Sequence, residues 1–445
     1  MTKYLHAPLP SRRLPAGIPY IIGNEAAERF SFYGMRAVLV VFMTQYLLDG
    51  TGAADPMSEE EAKGWFHLFV SAVYFTPLLG ALLSDSLLGK YRTIIALSLV
   101  YCLGHFVLAL DHTRLGLLLG LGLIALGSGG IKPCVSAHLG DQFGASNAHL
   151  LSRSFGWFYF AINLGAFAST LATPWLLQQA GPAWAFGVPG VLMVTATLIF
   201  WAGRRRFVHI PPAGLGFVRE TFSRDGLLTL TRLLGLYLFV AVFWSLFDQT
   251  GSAWVLQARS MDRELLGYEL LPAQLQAANP LLVMLLVPTF SYLVYPAIQR
   301  RWGLTDLTKI GFGMFLGALA FGISGWAQFL IDAGETPSIG WQLLAYLALT
   351  SGEVMVSITC LEFSYTQAPN RMKSFVMAFF MLSIALGNLF TSAVNFFIEG
   401  RDLLQGADYY LFFTLLMGIT ALVFSLVSPY FRGQSRLQPE SPPSQ

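Results

Sequence analysis

Charge is scarce in this chain. Of its 445 residues only 12% are charged, against 55% hydrophobic, and the formal net charge is +2. A soluble domain carries roughly 25% charged residues, so a soluble enzyme and a disordered protein are both excluded. The near-neutral balance gives no basic field for nucleic acid. Cysteine is equally sparse: Cys102, Cys134 and Cys360 form an odd trio within apolar stretches, which excludes a disulfide framework and reads as packing. No Asn-x-Ser/Thr sequon occurs, which points to a bacterial source. A cleavable leader is not expected, because the first apolar stretch holds Glu25, Glu28 and Arg29 and lacks a small-residue cleavage site.

What the chain has in abundance is long apolar blocks. Twelve are predicted to span a bilayer, at about 19–48, 64–88, 91–110, 115–140, 154–178, 183–203, 232–257, 278–298, 309–331, 340–368, 372–399 and 408–430. Each can cross a hydrocarbon layer about 30 Å thick. Backbone groups in lipid must be satisfied within the segment, so the spans are helices. The short alternating segments of a membrane β-barrel are absent from the sequence. Cations set the orientation. With the N-terminus inside, the inner connections hold 19 of the Lys and Arg residues and the outer ones hold five, Lys63, Arg114, Arg259, Arg263 and Arg401. Both termini are therefore expected in the cytoplasm of a multi-pass protein of the cell (inner) membrane.

The longest inner connection, 204–231, opens with Arg204-Arg205-Arg206 and contains Pro211-Pro212. It divides the chain into an N-terminal six-helix bundle, 1–203, and a C-terminal six-helix bundle, 232–433, followed by a Gln, Ser and Pro-rich tail, 434–445, that is expected to be disordered. Two halves of six helices resemble the major facilitator superfamily, in which substrate sits midway between the halves. A weak echo supports this: Gly80…Asp85…Gly89-Lys90-Tyr91-Arg92 follows helix 2 and Arg300-Arg301-Trp302-Gly303 follows helix 8. The fold class is an all-α integral membrane protein with twelve transmembrane helices.

The informative residues are ionisable groups inside the spans: Glu25, Glu28, Arg29, Arg36, Lys132, Asp248, Glu353 and Glu362, together with His67. A charge at mid-bilayer costs about 3 kcal/mol on insertion scales, so eight left unpaired would cost roughly 24 kcal/mol. That exceeds the ~5–15 kcal/mol stability of a whole protein, and these groups must pair or line a wet cavity. In helix 1, Glu25, Glu28, Arg29, Phe32, Tyr33 and Arg36 recur at three- and four-residue spacing and share one face. Arg29 has two acids within reach, and Arg36 has none. Arg36 and Lys132 lie in the first half, Asp248 and Glu353 in the second, on helices that correspond between the halves. Two cross-half ion pairs are expected, Arg36 with Asp248 and Lys132 with Glu353, forming in one conformation and breaking in another as gates. A carboxylate stays ionised beside its cation and can take a proton once that partner leaves. Glu353, Asp248 and the Glu25/Glu28 pair are candidates for that task. His67, near the outer end of helix 2, reads equally as a titrating group or an interfacial one. His105 and His138 read as packing or interfacial residues. Tyr33, Tyr74, Asn163, Trp244, Phe380 and Ser383 could complete a pocket, although aromatics in membrane helices commonly face lipid.

Four stretches resemble one family. Glu25-Ala26-Ala27-Glu28-Arg29-Phe30-Ser31-Phe32-Tyr33-Gly34 is similar to the E-x-x-E-R-F-x-Y-Y-G signature of proton-dependent oligopeptide transporters, a branch of the major facilitators. Residues 127–143, 243–252 and 352–369 resemble that family's helix 4, 7 and 10 motifs. The resemblance implies proton-driven symport of di- and tripeptides by alternating access. It implies that Arg36 and Lys132 hold the peptide carboxylate, Glu353 the amino end, and Tyr33, Tyr74 and Asn163 the backbone. Glu25, Glu28 and Arg29 would couple protons to peptide, and His67 matches a helix 2 histidine tied to proton sensing in animal members. Phe32 departs from the first signature tyrosine, and Phe380 stands where a helix 11 tryptophan is frequent, which affects affinity and side-chain preference rather than class. The linker is too short and polar for the two extra helices of many bacterial members.

Zwitterion chemistry agrees independently, since a short peptide needs a cation at one end and an anion at the other. A cation exporter would not place two cations centrally, and a sugar porter would favour Asn and Gln clusters. An intramembrane enzyme would need a nucleophile–base or metal constellation, and the histidines fall on separate helices. No cofactor, metal or obligate protein partner is expected; the expected partners are peptides, protons and the lipid bilayer.

Overall fold

The computed structural model describes residues 4–212, 214, 224–300, 303–367 and 373–430. The predicted tail and most of the 204–231 linker fall outside them. Helix α1 runs Ile18–Gln45. It is followed by α2 (Glu59–Leu88), α3 (Lys90–Leu110), α4 (Arg114–Gly140), α5 (Ala145–Ala180), α6 (Pro182–Gly203), α7 (Leu230–Ala258), α8 (Pro272–Gln299), α9 (Asp306–Asp332), α10 (Gly340–Ser364), α11 (Ala378–Ile398) and α12 (Ala407–Val427). The last eleven are long and apolar enough to cross a membrane. Helix α1, with 28 residues, has the length, but Glu25, Glu28, Arg29 and Arg36 make it too charged for lipid on all sides. It is enclosed instead, and Glu25, Glu28 and Arg29 are all buried.

The two halves repeat one packing pattern. α3 lies against α4 and α6, and α9 likewise against α10 and α12; α1 packs on α5, and α7 on α11. Between halves, α2 meets α11 and α5 meets α8. These are the same two helices of each repeat exchanged, which is the signature of a duplicated transporter fold. The face bearing the connections 46–58, 259–271 and 399–406 is the one that cation counting assigns to the outside and is called outer.

Several features depart from the sequence expectation. Lys63 and Arg114 do not lie in outer loops, because α2 and α4 start earlier: Ser58 and Thr113 accept the Glu61 and Gly116 amides and cap the two helices. Helix α7 is not continuous, since a tight turn at Asp248–Gly251 and an irregular Ser252 (φ −130°, ψ −91°) interrupt it. A π turn, Val354–Ile358, follows Glu353 directly, a local defect that is frequent at functional sites. On the outer face Glu264–Leu265 pairs with Tyr268–Glu269 across a turn with positive φ at Leu266 and Gly267. Glu362 is exposed. The three cysteines are free.

Close helix contacts rest on glycine. A Cβ on Gly80 of α2 would stand 2.1 Å from the Gly130 carbonyl oxygen of α4, and one on Gly387 of α11 would stand 2.2 Å from the Ala241 oxygen of α7. Both obstacles are backbone, which cannot rotate away. Gly80→Ala should therefore destabilise the protein by about 1–3 kcal/mol through overpacking, read as a lowered thermal unfolding midpoint in detergent. An unchanged midpoint would show that α2 and α4 can separate freely.

Candidate functional site

The ionisable face of α1 looks into the protein. Arg29 Nε lies 2.7 Å from Glu25 Oε1 and 2.9 Å from Glu28 Oε2. Ser128 of α4 donates to the other Glu28 oxygen at 3.4 Å. One cation thus answers two carboxylates, and all three groups are buried.

One and two turns further along α1, the chemistry crosses between halves. Arg36 Nη2 lies 2.5 Å from Asp248 Oδ1, with the two side chains 12% and 5% exposed. The break in α7 after Asp248 lets this carboxylate face α1. Asn388 of α11 donates to the second oxygen, Asp248 Oδ2, at 2.7 Å, and its own Oδ1 lies 2.7 Å from His67 Nδ1. His67 Nε2 meets Ser252 Oγ at 2.8 Å. His67 is fully buried, so it is not interfacial. The amide orientation is fixed by bookkeeping of donors: Asn388 Nδ2 serves acceptors on Asp248 and Ile384, so Oδ1 must accept and His67 Nδ1 must carry hydrogen. The proton that titrates is then the one on Nε2. Ser252 accommodates both states by turning its hydroxyl, donating to the neutral ring and accepting from the charged one.

Other cross-half bonds flank this pair, the first a turn further in along α2 and the next three towards the outer face. Ser71 donates to the Ala385 carbonyl at 2.9 Å, Ser392 to that of Gly64 at 2.8 Å, Gln274 to that of Leu171 at 2.9 Å and Gln276 to that of Ala37 at 3.1 Å. The outer side is closed.

The second expected pair is not formed here. Lys132 Nζ sits 4.3 Å from the Phe32 ring centroid and 4.2 Å from that of Tyr74, buried and without a hydrogen-bond acceptor among the described residues. The aromatic faces hold it, a cation–π contact worth ~2 kcal/mol or more when desolvated. Phe32, which lacks a tyrosine hydroxyl, therefore supplies a ring that grips the lysine. Glu353 is held instead by Asn279 Nδ2 of α8 at 2.8 Å, and Asn279 also reaches Thr350 Oγ1 at 3.2 Å. Each group is instead met by neutral side chains of its own half.

The remaining candidates are more modest. Asn163 donates to the Tyr159 carbonyl at 3.0 Å, and Ser383 to that of Phe380 at 2.7 Å. Phe380 packs edge-on to Tyr237 at 5.7 Å and Trp244 to Phe247 at 5.2 Å. Trp244 is buried and its Nε1 finds no acceptor among the described residues. Tyr33 is half-buried beside Phe32, with ring centroids 5.4 Å apart. His105 bonds Ser31 Oγ at 2.8 Å, and His138 packs on Phe207 at 5.0 Å.

A model of the POT family, PTR2, matches residues 91–224 and 219–404. The chain belongs to the POT family. Solute carrier family 15 member 2 of Homo sapiens is 38% identical over 397 residues, covering 77% of this chain and 53% of that one. Solute carrier family 15 member 1 of Homo sapiens is 35% identical over 380 residues, covering 72% and 52%. The chain spans about half the length of these curated relatives. A crystal structure of an auto-inhibited POT family peptide transporter superposes with a TM-score of 0.87 at 37% identity, covering 96% of this chain and 99% of that one. The POT family transporter PepTSo gives 0.86 at 38% identity, covering 94% and 99%. The major facilitator expectation for the fold thus holds.

Within this POT chain, sequence reasoning passed over Asn388, Ser252 and Asn279. Each is a neutral polar residue in an apolar helix, and of that class only Asn163 and Ser383 were singled out. The available signal was polarity at mid-span: every amide there needs a partner, and Asn388 lies seven residues beyond Met381 in an otherwise apolar run.

Exchanging the Arg36/Asp248 pair gives a direct test of the contact. Either Arg36→Asp or Asp248→Arg alone sets two like charges together at a buried site, beyond the about 3–5 kcal/mol of one uncompensated charge, and should abolish the transport proposed below. The doubly exchanged protein should recover part of it, measured as uptake in proteoliposomes. A double variant no better than the singles contradicts the pairing.

Proposed function

We propose that this chain is a proton-coupled symporter that imports di- and tripeptides by alternating access, with peptide held between the two bundles. The observation that carries the reading is the contrast between two sets of charges. Arg36 and Asp248 are locked together across the halves, while the Lys132 ammonium and the Glu353 carboxylate are each held by neutral groups of their own half. Neutral partners can be exchanged for a peptide at little electrostatic cost. The peptide carboxylate would displace the aromatic rings from Lys132 and compete with Asp248 for Arg36. Its ammonium would take the Glu353 oxygen now bound by Asn279. A ligand that bridges the halves in this way draws them together.

Protons would act on the same groups. A proton on His67 Nε2 places a positive charge one amide away from Asp248, and so weakens the hold of Arg36 on that carboxylate. Protonation of Asp248 itself removes the pair. Either event loosens the outer closure, and loss of the proton restores it. Glu353, relieved of peptide, and the Glu25/Glu28/Arg29 cluster are the further carriers. Tyr33, Tyr74, Asn163, Trp244, Phe380 and Ser383 would shape the side-chain space. Driving force suffices: at 100 mV and one pH unit a proton supplies about 3.7 kcal/mol, or roughly 500-fold accumulation at best.

In this reading both termini are cytoplasmic, the membrane is a bacterial inner membrane, and no protein partner is required. The test is uptake of labelled dialanine into proteoliposomes under an inward proton gradient. Wild type should accumulate peptide above the external concentration. Glu353→Gln should equilibrate peptide without accumulating it. Normal uphill uptake by that variant would remove Glu353 from the coupling.

A further inference from the structure

Beside the outer seam of α2 and α11 lies a cavity of about 740 Å³, lined by Glu59, Glu60 and Lys63 from the first half and by Glu399, Asp402 and Tyr409 from the second. Arg36, Lys132 and Glu353 do not line it. Its size falls within the range of about 300–1,000 Å³ usual for small-ligand sites.

Lys63 is the unusual member. It is only 7% exposed, and its Nζ stands 4.4 Å from the Tyr409 ring centroid on the opposite half. The nearest carboxylate oxygen, Glu60 Oε1, is 3.8 Å away, beyond hydrogen-bond distance. The ammonium is thus held by one long ion pair and one ring, and it has three donors on a side chain that lines the cavity. The four acids are not a cage for a cation: among the described residues no three His, Cys, Asp or Glu side chains come close enough to hold a metal ion. The cavity therefore offers the Lys63 cation at its inner wall and, with Arg401 among them, carboxylates towards the open rim, where Asp402 is exposed and Glu59 pairs with Arg259 at 3.6 Å. That pattern complements a small zwitterion with a carboxylate at one end and an ammonium at the other.

We propose that this outer cavity is a second binding site for the zwitterionic peptide, with Lys63 holding the carboxylate and Glu399 and Asp402 the ammonium. The inference rests on the reading of the chain as a peptide transporter. It also gives the site a task. Lys63 reaches across the seam, where Phe396 lies so close that a Cβ on Gly64 would meet its ring at 2.7 Å, and where Trp65 packs edge-on to Phe396 at 5.8 Å. A carboxylate that draws Lys63 off the Tyr409 ring releases one cross-half contact on the side through which peptide must arrive.

Equilibrium dialysis of the full-length purified protein against labelled dialanine tests this. Wild type should bind two peptides, and Lys132→Ala should keep one, in the outer cavity. Lys63→Gln should lower the affinity of that outer site at least tenfold while sparing the other. The loop variant Glu399→Gln/Asp402→Asn should do the same without touching a buried residue. One bound peptide in wild type and none in Lys132→Ala would overturn the outer site and leave the central one standing. No binding to wild type at all would overturn the peptide reading itself.

Discussion

An ionised group placed in a membrane has to be answered by another group, and that constraint organises this molecule. Arg36 and Asp248 answer each other across the two halves at 2.5 Å. Neither can be left alone at low cost, so in the proposed reading the halves part on the outer side only once one of the two charges is removed or rebound. The Asn388 amide ties the same carboxylate to His67, which under the proposed function makes the closure sensitive to a proton two hydrogen bonds away. Charge that would be a liability in a structural helix becomes a conditional fastener when its partner sits on a separately moving body.

The duplicated architecture is what makes such a fastener possible. Packing that repeats between α1–α6 and α7–α12 sets α1 opposite the broken segment of α7, and α2 opposite α11. Glycines such as Gly80 and Gly387 let helices within each half approach until backbones touch, which makes each half stiff. The seam between halves uses a different chemistry. Among the described residues, single side-chain hydrogen bonds, the Arg36–Asp248 and Arg259–Glu59 ion pairs and the Lys63–Tyr409 contact hold it, and each of these can be replaced by water or ligand.

Much of this was legible in the sequence, for definable reasons. Span positions emerged because twenty apolar residues have few other uses, and the Arg36–Asp248 contact because two lone opposite charges in matching helices have nowhere else to go. Pairing by charge alone failed for Lys132 and Glu353. The sequence shows that each needs a partner but not that Phe32 and Tyr74, or Asn279, satisfy it within one half. His67 and Lys63 were placed too near the surface because a cap at Ser58 starts α2 earlier than hydropathy suggests. Asn388 went unnoticed because polarity alone does not tell which neutral amide in a span has partners across the seam, although its hydrogen bonds hold the network together.

The account turns on whether loss of charge at Asp248 opens the outer side. Electron–electron distance measurements between spin labels at Ala53 and Leu403, exposed positions on the outer connections of opposite halves, read this directly once the native cysteines are replaced. At alkaline pH the wild-type protein should give one short distance, with a second, longer population appearing on acidification, and Asp248→Asn should show the longer population at every pH. A single unchanged distance in wild type and in Asp248→Asn across the pH range would contradict the account.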